Sequence, residues 1–495
     1  MYSQFATPLF TALIEHAKKE PIQFHIPGHK KGNGAESDFK KFIGKNALSI
    51  DLINIAPLDD LHQPKSIIKQ SQDLAAKAFG ADHTFFSVQG TSGAIMTMVM
   101  SVCGPGDKII VPRNVHKSIM TGIILSGAVP IFIHPEVDPN LGISHGITPE
   151  SVEKALIEYP DSKAVLVINP TYFGIAGDLR RIVEIAHSHD IPVLVDEAHG
   201  AHIHFHDELP LSAMQAGADM AATSVHKLGG SMTQSSILNV RGNLVSPKRI
   251  QAILSMLTTT STSYLLLASL DTARKSLATQ GQALLKKTIR LADETRAQIN
   301  KIDSLYCVGQ EILGTGATYA IDPTKLVISV KKLGITGYDV EKWLREKWNI
   351  EVEMSDLYNI LCIITPGDSK ENLRKLVDAL KDLAEEFKKH VNLEEDSSVL
   401  LPDIPELSLT PRDAFYAETE VIPFEESAGR IISEFVMVYP PGIPIFIPGE
   451  IITEENILYT RKNIEAGLPV QGSEDVELKN VRVIKEHFLN KDVFF

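Results

Sequence analysis

Cysteine is scarce: the 495 residues hold three, Cys103, Cys307 and Cys362, at spacings that build neither a disulfide framework nor a zinc site. A reducing compartment is expected. Long apolar runs are missing too. No stretch reaches the roughly 18 uncharged apolar residues of a membrane span, and the first twenty residues carry Glu15 and Glu20 without an unbroken apolar core. Neither a membrane partner nor a secretory leader is expected, so the chain reads as cytoplasmic. Basic residues are outnumbered, with 48 Lys and Arg against 62 Asp and Glu, a net charge of −14. That is the wrong sign for a partner built on phosphate backbones, so nucleic acid is not expected. The same field favours a small cationic substrate. There is no internal repeat and no low-complexity tract. With 44% hydrophobic and 22% charged residues, the composition is that of an ordinary globular protein, and the length points to about three domains.

What is present has the rhythm of an α/β fold. From about residue 79 to 240, short β-branched runs alternate with amphipathic stretches, the pattern of a mostly parallel mixed sheet with crossover helices. Strands are predicted at 84–88, 108–111, 130–133, 164–168, 193–195, 220–223 and 237–240. A helix is predicted over 178–189, where Leu179, Ile182, Val183, Ile185 and Ala186 recur at helical spacing. The expected organisation is an N-terminal segment over 1–75, a large domain over 76–262, and a smaller α/β domain over 263–390. The last helix of that smaller domain has an apolar face of Leu373, Leu376, Val377, Leu380 and Leu383. An acidic, proline-bearing linker over 391–411 and a C-terminal α+β domain over 412–495 complete it.

The segments that carry chemistry stand where strands are predicted to end, the edge at which open α/β sheets bind ligands. Gln89-Gly90-Thr91-Ser92-Gly93 follows a strand and opens a helix. Glycine, hydroxyls and a helix N-terminus suit a phosphate, although such a turn also serves as a plain strand-to-helix connection. Asp196 ends the apolar run Val193-Leu194-Val195, and Lys227 stands just past another strand in Ser224-Val225-His226-Lys227-Leu228-Gly229-Gly230-Ser231. A buried lysine can form a Schiff base, and a buried carboxylate can keep a pyridine nitrogen protonated. A structural ion pair is the bland alternative for the two.

The run from Ala222 through Lys227 to Ser236 resembles, position by position, the pyridoxal-phosphate attachment signature of the ornithine/lysine/arginine decarboxylases. Further segments similar to that family are Phe24-His25-Ile26-Pro27-Gly28-His29-Lys30, Asp59-Asp60-Leu61-His62, Asn114-Val115-His116-Lys117-Ser118 and Tyr439-Pro440-Pro441-Gly442-Ile443-Pro444. The resemblance therefore covers almost the whole chain. It implies the aspartate-aminotransferase-like fold, type I among pyridoxal-phosphate enzymes, in a homodimer or higher even oligomer with shared active sites. It also implies that Lys227 holds pyridoxal 5'-phosphate covalently, that Asp196 pairs with the ring nitrogen, and that His116 and Ala198 cover the two ring faces. Thr91, Ser92, Ser224 and His226 would hold the phosphate, with Thr260 or a neighbouring hydroxyl reaching in from the partner subunit. His199 also falls among the cofactor contacts, although long family members often have an aromatic there. Those members begin with a response-regulator-like domain, whereas this chain starts almost at once with cofactor-domain segments, like the short form of Gram-positive bacteria.

The implied reaction is decarboxylation of a basic amino acid, with a proton returned to Cα from Lys227 or His116. Short-form relatives put arginine first, giving agmatine for polyamine and spermidine biosynthesis, with lysine next and ornithine third. A desolvated cationic side chain needs a carboxylate partner. Asp60 is the candidate, with a turn role as its alternative, and His29 would line the entrance. An aminotransferase needs the same lysine and carboxylate and is the nearest rival. A catalytically silent binding protein of the same fold would have lost them. His199, His202, His204 and His206 could instead be read as ligands of a metal-dependent hydrolase, but no metal is expected. Asp196-Glu197-Ala198-His199 spells a helicase-type box, yet no G-x-x-x-x-G-K-[ST] precedes it.

Overall fold

The computed structural model describes residues 3–388, 402–438, 443–465 and 468–486. Two expected features, most of the linker (391–401) and Tyr439-Pro440-Pro441-Gly442, lie outside the described residues. The chain divides into two compact units, residues 1–102 with 190–286, and residues 103–189 with 287 onward.

In the first unit four strands lie side by side in the order His83–Ser87, Ser236–Val240, Met220–Thr223, Val193–Asp196. Met220–Thr223 and Val193–Asp196 are parallel, and only Ser236–Val240 is reversed, pairing antiparallel with both of its neighbours. The last three strands of that order are buried throughout, which is why they read as continuous apolar or small-residue runs and do not alternate. Helix Gly90–Val102 follows the first strand directly and packs on Met220–Thr223 and Ser236–Val240. Leu9, Leu13, Ile68, Phe79, Phe86, Tyr264 and Leu267 belong to one buried cluster of this unit. Arg274 and Asp271 are buried beside that cluster as an ion pair at 2.7 Å. The Asp271 carboxylate also accepts the Leu9 and Phe10 N–H groups, so the first helix, Pro8–Lys18, is held at its N-terminus by a charge.

In the second unit Ala164–Ile168, Lys108–Pro112 and Val129–Ile133 form a parallel set in that order. All seven strands expected between 79 and 240 are therefore present, with ends differing by no more than a residue or two. Helix Leu179–Ser188 is capped by Asp178, whose side chain accepts the Arg181 N–H at 3.1 Å. A four-stranded antiparallel sheet, Tyr306–Cys307, Lys325–Ser329, Asn359–Ile363 and Met354–Ser355, shares a core with helices Gly337–Trp348 and Lys370–Glu386. The five apolar residues of the second helix's expected face are all buried in that core. Strands Thr419–Pro423 with Asn480–Ile484, and Val436–Val438 with Ile443–Phe446 and Val470–Gln471, surround Phe424, Ile432, Phe446 and Val483 as a C-terminal α+β module.

Candidate active site

Adjacent parallel strands deliver their C-terminal ends to one place. Strand Met220–Thr223 runs into Ser224 and the short helix Val225–Leu228, which carries His226 and Lys227. Gly229 closes that turn, where a Cβ would meet the Val225 carbonyl oxygen at 2.8 Å. The neighbouring strand ends at Asp196 and turns through Glu197, Ala198 and His199. Lys227 Nζ lies 2.7 Å from His199 Nε2. Asp196 is buried, and its Oδ1 accepts the Ala198 N–H at 3.1 Å. Burial pushes its carboxyl up to about 6, against the pull of the Ala198 N–H and the charge of Lys227, both of which favour the anion. A cation placed on Asp196 would therefore find a carboxylate short of compensation.

The hydroxyls converge as well. Thr91, in the first turn of helix Gly90–Val102, bonds through Oγ1 to Ser236 Oγ at 2.7 Å and to Ser224 Oγ. Gly90 has φ +68°, and the place a side chain would take is open space. Its N–H is held by the Gln234 carbonyl at 2.9 Å, and Gln234 Nε2 is bonded to the Val88 carbonyl at 2.7 Å. Hydroxyls, an open glycine and the start of a 13-residue helix make a surface suited to a phosphate. Ser92 is exposed in the same turn, and His226 Nδ1 is 3.0 Å from the Ser235 carbonyl.

Glu197, noted in the sequence only within the helicase-type box, is a carboxylate to which the sequence analysis assigned no part in the site. It is buried, accepts the Ala213 N–H at 2.7 Å and the Thr223 hydroxyl at 3.0 Å, and so ties the two strand ends together. Burial pushes its carboxyl up to about 7. Ser236, read in the sequence only as the end of the attachment signature, also joins the hydroxyl set from the start of its strand, in register with Ser87.

The remaining candidates are placed as follows. Asp60 Oδ1 accepts the His62 N–H at 2.9 Å, and Oδ2 accepts from Asn54 Nδ2 at 3.3 Å, a turn-stabilising geometry. His29 is bonded to Asp51 through Nε2 at 3.0 Å and accepts the Gly32 N–H through Nδ1 at 3.1 Å; it lines a cavity of about 250 Å³ with Phe39, Ile43 and Leu48. Thr260 is exposed, next to Thr259, whose carbonyl lies 3.0 Å from His62 Nε2. His116 belongs to the second unit, where it caps helix Lys117–Ser126; its Nδ1 accepts the Ser118 N–H at 3.2 Å and lies 2.7 Å from the Ser118 hydroxyl, which leaves the ring proton on Nε2. The histidine series is dispersed: His204 Nδ1 is bonded to Ser212 and His206 Nδ1 accepts the Glu208 N–H, while His199 faces Lys227. Among the described residues no three His, Cys, Asp or Glu side chains are grouped as a metal set.

Residues 7–372 match the family model described as "Orn/Lys/Arg decarboxylase, major domain", and residues 396–465 match that family's C-terminal domain. The chain belongs to this family. It is 72% identical over 484 residues to the arginine decarboxylase of Bacillus subtilis, covering 98% of this chain and 99% of that one. With the arginine decarboxylase of Bacillus anthracis it shares 70% identity over 485 residues, 98% of each. The crystal structure of the Francisella novicida lysine decarboxylase superposes with a TM-score of 0.84 at 25% identity, over 97% of this chain and 81% of that one. The aspartate-aminotransferase-like fold is thereby shown, and the family is one of pyridoxal-phosphate enzymes. The residues around Lys227 fit that cofactor: an amine beside a buried carboxylate, with a hydroxyl set at a helix start in the same unit.

Proposed function

We propose that the chain is an arginine decarboxylase that converts L-arginine to agmatine and CO₂ with pyridoxal 5'-phosphate attached to Lys227. The observation that carries the reading is the convergence of Lys227, Asp196 and the Thr91, Ser224 and Ser236 hydroxyls at the ends of neighbouring strands. The high identity to chains named arginine decarboxylase supports arginine as the substrate. When bound, the cofactor supplies a sink for the electron pair that departing CO₂ leaves on Cα. Asp196 would accept the ring N–H and keep that nitrogen protonated. Thr91, Ser92, Ser224 and His226 would hold the phosphate, and Ala198 and His116 would flank the ring. Lys227 Nζ or His116 Nε2 would return the proton to Cα. Agmatine is a precursor of polyamines, so the product would feed polyamine and spermidine biosynthesis in the cytoplasm. No helix among the described residues is long and apolar enough to cross a membrane.

Asp60 remains the proposed partner of the guanidinium, with its bond to the His62 N–H fixing one carboxylate oxygen in place. Asp60→Asn is expected to lower arginine turnover by at least about a hundredfold, at roughly 1.4 kcal/mol per factor of ten, while Lys227 still captures the cofactor. Carbon dioxide release from arginine, lysine and ornithine at equal concentration tests the assignment. Faster release from lysine would overturn the substrate and leave the cofactor site standing.

The active unit is proposed to be a homodimer or a larger even assembly, with a hydroxyl of the stretch 258–261, exposed from 259 to 261, completing a neighbour's phosphate site. Phe24 and Phe42 are at least 90% exposed, and Ile22 and Phe39 are exposed to a lesser degree, an apolar load that a soluble monomer rarely carries in one segment. Sedimentation of the active enzyme is expected to give a dimer or a multiple of it, and a fully active monomer would refute the proposal.

A further inference from the structure

Lys227 and His199 meet nitrogen to nitrogen. A lysine ammonium has donors and no acceptor, and a doubly protonated imidazole likewise has none. At 2.7 Å the two cannot both present a proton to the other, so the contact between Nζ and Nε2 holds one proton. That proton has two resting places. It sits on an ammonium that donates to a neutral imidazole, or on an imidazole Nε2 that donates to a free amine. His199 is buried, and it is carried by the turn that follows Asp196, the residue whose carboxylate feels the charge of Lys227.

The contact matters because only the free amine is a nucleophile. A lysine at its ordinary pKa of about 10.4 is almost wholly ammonium near neutral pH. On that geometry we infer that His199 is the proton acceptor that turns the Lys227 ammonium into the amine when the cofactor is captured. This inference rests on the pyridoxal-phosphate reading of the site. The ammonium passes one proton to His199 Nε2. Nζ then uses its lone pair to bond to the cofactor's aldehyde carbon, and its two remaining hydrogens leave with the carbonyl oxygen as water. No oxidant or further reactant is needed. A hydrocarbon ring at position 199 could not take the proton. Titratable groups close along the chain, or coupled by charge to Lys227, include Asp196, Glu197 and His226. Both Glu197 oxygens are engaged by Ala213 and Thr223, Asp196 Oδ1 accepts the Ala198 N–H, and His226 Nδ1 is turned to the Ser235 carbonyl, whereas His199 Nε2 is the group in hydrogen-bond contact with Nζ.

The test is the rate at which full-length apoenzyme captures added pyridoxal phosphate, followed by the absorbance of the bound form, for the wild type, His199→Gln and His199→Phe. Circular dichroism establishes that each variant is folded, and the glutamine keeps a polar group at the site should phenylalanine disturb packing. Near pH 7 both variants are expected to load at least about tenfold more slowly, a small share of what a positioned base contributes. Near pH 10 solvent itself supplies the free amine, and the difference is expected to shrink to about twofold or less. Loading by both variants at the wild-type rate near pH 7 would overturn the inference. So would an equal slowing at both pH values, which marks a packing role. Borohydride reduction and peptide mapping separate the cofactor site from the role of His199. A wild type without an adduct at Lys227 refutes the cofactor site itself, whereas an adduct at Lys227 in all three proteins with equal rates refutes only the role of His199.

Discussion

Replacing Lys227 with alanine is expected to abolish covalent capture of pyridoxal phosphate and, with it, all decarboxylation, while the protein stays folded. The lysine sits in a four-residue helix held by contacts that do not involve its side chain: Gly229 N–H donates to the Val225 carbonyl at 2.8 Å, and Val225 is part of the unit's buried core. Losing the amine removes the group that can form a Schiff base there, so no borohydride-fixed adduct should form and the absorbance of the bound cofactor should be missing. The variant also removes a positive charge whose field favours the anion of Asp196. The Asp196 carboxyl should accordingly titrate above its already raised value of about 6, because burial then acts with less opposition. Absorbance with added cofactor, and mass analysis after borohydride, check the first expectation. A reducible linkage in Lys227→Ala would place the attachment elsewhere.

The second large effect concerns stability and lies in the other unit. Arg113 is fully buried just after strand Lys108–Pro112, and both its terminal nitrogens bond the Glu450 carboxylate, at 2.5 and 2.8 Å. The same guanidinium donates to the Pro444 and Ile445 carbonyls at 2.9 and 3.1 Å and lies 4.7 Å from the Phe132 ring centre. Glu450 in turn accepts the Ile447 N–H at 2.9 Å. The C-terminal segment is thus fastened by one desolvated cation to the loop that leads into His116. Arg113→Met is expected to cost about 3–5 kcal/mol, because it leaves a buried carboxylate without a counter-charge. The double replacement Arg113→Met with Glu450→Met should recover part of that, since no charge remains unpaired. It should not recover all of it, because Pro444, Ile445 and Ile447 still lose their partners. Denaturant unfolding of the three proteins checks both statements, and a single variant within about 1 kcal/mol of wild type would refute them.

Legibility in the sequence followed the range of the physics involved. Strands such as Ala164–Ile168 and Met220–Thr223 were readable to the residue because burial on both faces writes a short uninterrupted run into the chain. Helix Lys370–Glu386 was readable because one face is buried and the other is not. The attachment lysine was readable because the turn around it is local and chemically demanding, with a hydroxyl, a histidine and glycines in fixed order. Pairing directions were not readable. Nothing local to Ser236–Val240 records that it alone of its four strands is reversed.

By itself, then, the chain determined the class of fold, the places where strands give way to site loops, and the chemistry of Lys227, Asp196 and Thr91, all of which depend on neighbours a few residues away. The tertiary structure decided which of these groups touch. It set His199 Nε2 on Lys227 Nζ across 28 positions, joined Thr91 to Ser224 and Ser236 across 133 and 145, and closed Arg113 on Glu450 across 337. It also decided that residues 1–102 fold with 190–286. Those contacts follow from strand order and from burial that forces each polar group to find a partner, and both are properties of the packed sheet that no window of sequence contains.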